Sequence, residues 1–393
     1  MKPLLHIAAD ERFIDRGISL FERALPGQNR FWVWQRNGEN SLEFVKTLRP
    51  DKDRVISHDT PWWKHAFIDK TAYRAVLFHN LYSHPQIFLA NNLPAELPAY
   101  WLFFGAEYYN DPHFFKESTI GPLTLDLPRS KKTRDARSTP LKRLKAFLQN
   151  RLSRAYRAQN PRARDKRAAF QRINCIATHL PNEMEAIKKS LEIAPLWLNF
   201  SYYTIEDFKT DNCETLPKKH QILLGNSATP SNNHLEALQL LKQLSFKGTI
   251  KCPLSYGDAT YRDALKTSAN ELFGASFESI ESYLPLDDYN RLIAESSVVV
   301  MNHYRQQALG NIITALWYGT RVFISDRSPA LLYFQKLGCI IHSIERDLKS
   351  PKQLVSLSDT EKLTNRNILS QAYAAETFIK SIKKMDEHLN MKL

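Results

Sequence analysis

The sequence predicts an α/β protein built as two doubly wound lobes facing one another across a cleft. Three observations carry this expectation. The chain has 393 residues, more than one core usually serves. Short apolar runs alternate with helix-forming sequence in two successive series, and a polar stretch without periodicity separates them. With 43% hydrophobic and 24% charged residues, and only 12 Gly and 20 Pro, the composition excludes collagenous, low-complexity and wholly disordered chains.

In the first series Pro3 to Ala8, Phe31 to Gln35, Ala75 to Phe78, Tyr100 to Phe104 and Ile173 to Thr178 read as buried strands, each followed by polar or helix-forming sequence. Periodicity breaks from Asp207 to Lys219, the expected linker. The second series follows as strands Gln221 to Leu224, Thr249 to Cys252, Phe277 to Ile280, Val298 to Asn302 and Arg321 to Ile324. Helices are expected between them at 232–244, 260–272, 286–296 and 311–317, with another near Leu331. The expected plan is a first lobe over 1–206, a linker over 207–219 and a second lobe over 220–365. A C-terminal helix within 366–393 is expected to pack back on the first lobe.

No run approaches the roughly 20 apolar residues that a membrane-spanning helix needs, and the opening ten residues do not fit a signal peptide. Cys175, Cys213, Cys252 and Cys339 are widely spaced, with no CxxC pair and no histidine at zinc-finger spacing. Reduced thiols, a cytoplasmic location and no metal site are expected.

The formal charge of +13 is concentrated in one place. Residues 129–172 hold sixteen Lys or Arg against Asp135 and Asp165, so the rest of the chain is about neutral. Within this stretch Leu141, Leu144, Phe147, Leu148, Leu152, Ala155 and Tyr156 recur at helical spacing among the basic positions. An anionic membrane surface, nucleic acid, and packing against the protein's own body all suit such a segment. The membrane surface is the expected partner, and no nucleic acid is expected, because no recognised nucleic-acid-binding pattern occurs.

In an open α/β sheet, ligands bind beyond the carboxyl ends of the strands. Three loops of the second series lie there. The first is Gly225-Asn226-Ser227-Ala228-Thr229-Pro230-Ser231-Asn232, rich in small and amide residues, with Ser231 a natural N-cap. The second is Pro253-Leu254-Ser255-Tyr256-Gly257-Asp258, which offers an aromatic face. The third is His303-Tyr304-Arg305-Gln306-Gln307-Ala308-Leu309-Gly310-Asn311. There a guanidinium beside a helix N-terminus suits a diphosphate. Neither GxGxxG nor GxxxxGKS occurs, which weighs against a dinucleotide fold or a P-loop.

These residues carry a resemblance. Ile222-Leu223-Leu224-Gly225-Asn226-Ser227 through Ser231-Asn232-x-His234, the Pro253 to Tyr256 turn and Arg305-Gln306-Gln307-x-x-Gly310, in this order, resemble the TDP-N-acetylfucosamine:lipid II N-acetylfucosaminyltransferases, glycosyltransferase family 56. The likeness is strong over about 221–326 and thinner before it, at His6, Asp10, Arg16, His79, Gly105-Ala106-Glu107 and Cys175 to Thr178. It implies a GT-B fold with an acceptor-binding first lobe, a donor-binding second lobe and no metal or other cofactor. The implied donor is a TDP-linked 4-acetamido-4,6-dideoxy sugar. The implied acceptor is a polyprenyl-diphosphate-linked saccharide of cell-surface polysaccharide synthesis, met at the inner face of the cytoplasmic membrane.

Metal-independent transfer needs charge stabilisation at the departing diphosphate, and inversion needs a base for the acceptor proton. Arg305 and the Gly310-Asn311 helix start are expected to supply the first. Gly225, Asn226, Ser227, Ser231, Asn232, Tyr256, Gln306 and Gln307 complete the expected donor set. Glu107 and Asp10, each after a strand of the first series, are the candidate bases, while His79 and Arg16 are the candidate acceptor contacts. Each has a structural alternative: an N-cap, a partner for arginine, or a core histidine. Two other functions stay open on the sequence alone, a glycosyltransferase for a soluble or protein acceptor and a non-enzymatic anionic-surface or nucleic-acid binder.

Overall fold

The structure, a computed structural model, describes residues 2–35, 41–57, 68–129, 163–209, 213 and 215–391. The stripe expected from Leu141 to Tyr156 lies outside the described residues. The chain divides into two units. The first comprises Met1–Phe115, Thr139–Thr204 and Tyr373–Leu393, and the second Lys116–Ser138 and Ile205–Ala372.

The first unit holds a seven-stranded sheet, all pairs parallel: β1 (Leu4–Ala9), β2 (Asn29–Trp34), β3 (Arg54–Ile56), β4 (Ala75–His79), β5 (Ala99–Leu102), β6 (Cys175–Ala177) and β7 (Leu196–Leu198). Their order is β3-β2-β1-β4-β5-β6-β7. Strand alternation explains why both faces are buried. Leu5, Ile7, Val76 and Phe78 enter one core with Trp101 and Phe170, whereas Leu4, Ala8, Ala75 and Leu77 enter another with Ile18 and Phe21. The helix Ala375–Asn390 adds Ile379, Ile382, Met385 and Leu389 to that second core. The buried Arg74 pairs with Asp386 of the same helix.

The second unit repeats the design with six parallel strands: β8 (Lys219–Leu224), β9 (Thr249–Pro253), β10 (Phe277–Ile280), β11 (Ser296–Met301), β12 (Arg321–Ile324) and β13 (His342–Ser343). The order is β10-β9-β8-β11-β12-β13. The expected helices lie at His234–Gln243, Ala259–Phe273, Leu286–Glu295, Leu309–Trp317 and Pro329–Lys336. Strand order reverses direction between β8 and β11, which places a crevice at their carboxyl ends.

Two local expectations change. Residues 116–129, expected in the first lobe, belong to the second unit. The Gly121 N–H donates to Asn233 Oδ1 at 2.7 Å, and the Thr124 N–H donates to Glu236 Oε1 at 2.9 Å. Ser231 lies in a 3-10 turn, Pro230–Asn232, and the helix that follows starts after Asn233, which takes a left-handed backbone with φ of 51°. The Ser231 hydroxyl is thereby released from capping. Among the described residues, no helix is long and apolar enough to cross a membrane, and all four cysteines are free and buried.

Candidate active site

The site of the second unit is built at the β8/β11 crevice. Gly225 follows β8 with φ of 67°, and a Cβ there would run into the His234 ring and the Asn232 side chain. Only glycine lets the chain turn this closely. The turn is then held by Asn232, which is fully buried. Its Oδ1 accepts from the Asn226 N–H at 2.9 Å and from His303 Nε2 at 2.8 Å, while its Nδ2 donates to the carbonyls of Ser227 and Thr229. Because Asn232 Oδ1 only accepts, the His303 Nε2 carries the proton and its Nδ1 carries a lone pair. That Nδ1 is buried and has no hydrogen-bond partner among the described residues. Burial, then the neighbouring Arg305 and His234, hold His303 well below the usual imidazole range and so neutral.

Above this buried layer a line of side chains connects three loops. Ser231 Oγ donates to Gln307 Oε1 at 2.8 Å, and Gln307 Nε2 donates to Asn226 Oδ1 at 3.1 Å. Asn226 Nδ2 then donates to the Tyr256 hydroxyl at 3.1 Å. The Tyr256 ring is 60% exposed, so the line runs from a buried serine to an open aromatic face. Gly257 lets the Tyr256 loop lie against Ala228, whose carbonyl accepts from the Asp258 N–H at 2.8 Å.

Arg305 and Gln306 are half-buried in the loop after β11, and Arg305 Nη1 donates to the Gln306 carbonyl at 2.8 Å. The helix Leu309–Trp317 begins immediately after. Its N-cap, Ala308, has a left-handed backbone and no side chain able to cap, so the first amides are left to other acceptors. Gly310 faces only an ordinary contact with Phe208, so its value is at most a small side chain. Asn311 Nδ2 donates to the Tyr289 hydroxyl at 2.8 Å and ties this helix to Leu286–Glu295.

In the first unit, the expected groups sit at strand ends but are turned inward. Asp10 is fully buried, and its carboxylate accepts from the N–H groups of Glu43, Phe44 and Val45 at 2.5 to 3.1 Å. It anchors the segment that follows residue 40. Glu107 is 1% exposed, and its Oε1 accepts from Trp101 Nε1 and the Phe104 N–H, both at 2.9 Å. His79 is fully buried with both nitrogens engaged, Nδ1 with the Tyr202 hydroxyl at 2.8 Å and Nε2 with His6 Nδ1 at 3.0 Å. His6 Nε2 meets Asn29 Oδ1 at 3.2 Å. Since Asn29 Nδ2 donates to two carbonyls and Glu22, its oxygen faces His6, and the chain of protons runs from Tyr202 through His79 and His6 to Asn29. Burial lowers the His6 pKa to about 3 and holds His79 well below the usual imidazole range. The expected acceptor contact of His79 is thus replaced by an internal role, positioning Tyr202. Arg16 lies with its guanidinium 4.9 Å from the centre of the Tyr203 ring.

The structure therefore brings together Gly225, Asn226, Ser227, Ser231, Asn232, Tyr256, Gln307 and the Arg305 loop in one neighbourhood of the second unit. His303 joins them as a buried support that the sequence lists only as the start of a loop. The signal for it is its position directly after an apolar strand.

Residues 169–360 match the family model described as 4-alpha-L-fucosyltransferase, glycosyl transferase group 56. Solved structures share the whole fold at low identity. A sucrose-phosphate synthase from Thermosynechococcus elongatus is 11% identical with a TM-score of 0.62, covering 100% of each chain. Anabaena HepE, solved with UDP and glucose, is 11% identical with a TM-score of 0.58 and 100% coverage of both chains. A glycosyltransferase from Rickettsia africae is 9% identical with a TM-score of 0.59, covering 99% of each chain. Over residues 169–360 the chain matches the model of glycosyltransferase group 56, and its fold is GT-B.

Proposed function

We propose that the protein transfers a 4-acetamido-4,6-dideoxyhexose, or a similar deoxyamino sugar, from a TDP-sugar to a polyprenyl-diphosphate-linked saccharide. The observation that carries this reading is the crevice at β8 and β11, where the residues of the family resemblance are joined by hydrogen bonds beside an arginine and an uncapped helix start. In the proposed reaction, the bond between the anomeric carbon and the terminal phosphate oxygen breaks, and TDP leaves with the bonding electrons. Arg305 and the amides at the start of Leu309–Trp317 stabilise the charge that grows on that oxygen, in place of a metal. The acceptor hydroxyl forms the new bond and gives up its proton. Glu107, in the short helix after β5, is the proposed base.

The basic segment 129–172 supports a peripheral seat on the inner, anionic face of the cytoplasmic membrane, where a polyprenyl acceptor is found. Incubation of the purified protein with radiolabelled TDP-sugar and a polyprenyl-diphosphate saccharide in anionic vesicles tests the reading. Label moving into the lipid fraction supports it. Transfer only to water-soluble saccharide would replace the lipid-linked acceptor, and no transfer with any nucleotide sugar would end it.

A further inference from the structure

The loop after β12, Ser325-Asp326-Arg327-Ser328, matches no motif, yet the fold sets it against the donor crevice. Strands β11 and β12 pair in parallel with Met301 beside Ile324, so their outgoing loops start side by side. The two loops touch: Ser328 Oγ donates to the Arg305 carbonyl at 3.4 Å, and Arg327 Cζ stands 4.1 Å from the centre of the Tyr304 ring. Ser328 is the N-cap of Pro329–Lys336, but its hydroxyl turns toward Arg305 and makes no cap bond.

The loop is braced from behind. Ser325 Oγ and the Asp326 N–H both donate to the Glu345 carboxylate, at 2.6 and 2.8 Å, and Asp326 pairs with Arg346 at 2.9 Å. Arg327 itself is tied by Nη2 to the Ser118 carbonyl at 2.6 Å, and its side chain remains 39% exposed. The nearest acid, Glu117, is 3.9 Å away and 72% exposed, a pair that contributes little. A guanidinium held over a phenol ring and tied at one nitrogen has already lost much of its rotamer freedom. It therefore binds a planar set of phosphate oxygens at a smaller entropic cost than a free arginine would.

We infer that Arg327 is a second guanidinium of the donor site, binding the diphosphate beside Arg305. The inference rests on the donor reading of the β8/β11 crevice and adds a binding residue and its ligand chemistry to it. Calorimetry with TDP on the full chain tests it, with Arg327→Ala, Arg327→Lys and the apo melting temperature of each. The expected result is TDP binding by the wild type, a loss of at least tenfold in Arg327→Ala at an unchanged melting temperature, and a smaller loss in Arg327→Lys, which keeps charge without the fork. Equal TDP affinity in the wild type and Arg327→Ala would overturn the inference while leaving the donor reading intact. A melting temperature that falls together with affinity would overturn it in favour of a tether for the 116–121 segment. A wild type that binds neither TDP nor UDP would remove the donor reading and this inference with it.

Discussion

The carboxyl rims of the two sheets, which share one strand order over six strands, both carry polar residues and use them differently. In the first unit Asp10, His79 and Glu107 are turned inward and bonded to backbone, tyrosine, histidine and indole groups. In the second unit Asn226, Gln307, Arg305 and Tyr256 form a partly exposed surface over a buried Asn232–His303 layer. In both units the polar residue follows a strand, at the carboxyl end of the sheet. Burial separates the groups bonded inward from those left partly open.

The comparison breaks first, and with the largest effect, at Arg305. Arg305→Ala is expected to lower kcat about 100-fold or more with little change in melting temperature, because the lost contact is to charge that develops during transfer. Single-turnover transfer kinetics check this, and wild-type turnover would remove Arg305 from the mechanism.

Glu107 asks whether the first rim holds any chemistry. Glu107→Gln keeps an oxygen for Trp101 and Phe104 while removing the base, so the variant should fold normally and lose about 100-fold in turnover. Full activity would leave Glu107 as a loop anchor. Asp10→Asn sharpens the same contrast. One carboxylate oxygen becomes an amide nitrogen facing backbone donors, at a cost of about 1–3 kcal/mol. Chemical denaturation should show this loss, with KM for the donor unchanged.

The gentlest test is acid. His6 and His234 are held at about 3 and His179 at about 4, in each case chiefly by burial, while His79 and His303 are also pushed well down by burial. Each folded value lies below the unfolded value of about 6.5, so the unfolded chain takes up more protons as pH falls. Stability is then full above about pH 6.5 and is lost progressively as pH falls below it. Melting temperature followed from pH 8 to 5 should be flat and then fall. A stable plateau down to pH 5 would contradict the buried neutral assignment in both units.

Much of the fold was legible because a parallel strand buried on both faces is an unbroken apolar run, as in Val298-Val299-Val300 or Ala75-Val76-Leu77. The short edge strands β3, β7 and β13 escape for the converse reason: Arg54–Ile56 and His342–Ser343 are too short or polar, and Leu196 and Trp197 are about half exposed. In the site, Gly225 and the amide-rich loop announce themselves by composition. His79 and Asp10 could be placed at strand ends but not oriented, since their partners Tyr202 and Val45 lie 123 and 35 residues away in sequence. Arg327 was hidden in an ordinary turn sequence, and only the β11/β12 register brings it to Tyr304.

The central claim is that the β8/β11 crevice binds the nucleotide diphosphate, and TDP titration into the wild type and the double variant Asn226→Leu, Ser227→Leu tests it most directly. Bulky apolar side chains there break the line from Ser231 to Tyr256 and fill the turn after Gly225. The account predicts clear binding by the wild type and at least tenfold weaker binding by a variant that still melts cooperatively near the wild-type temperature. Normal TDP affinity in that folded variant would contradict it.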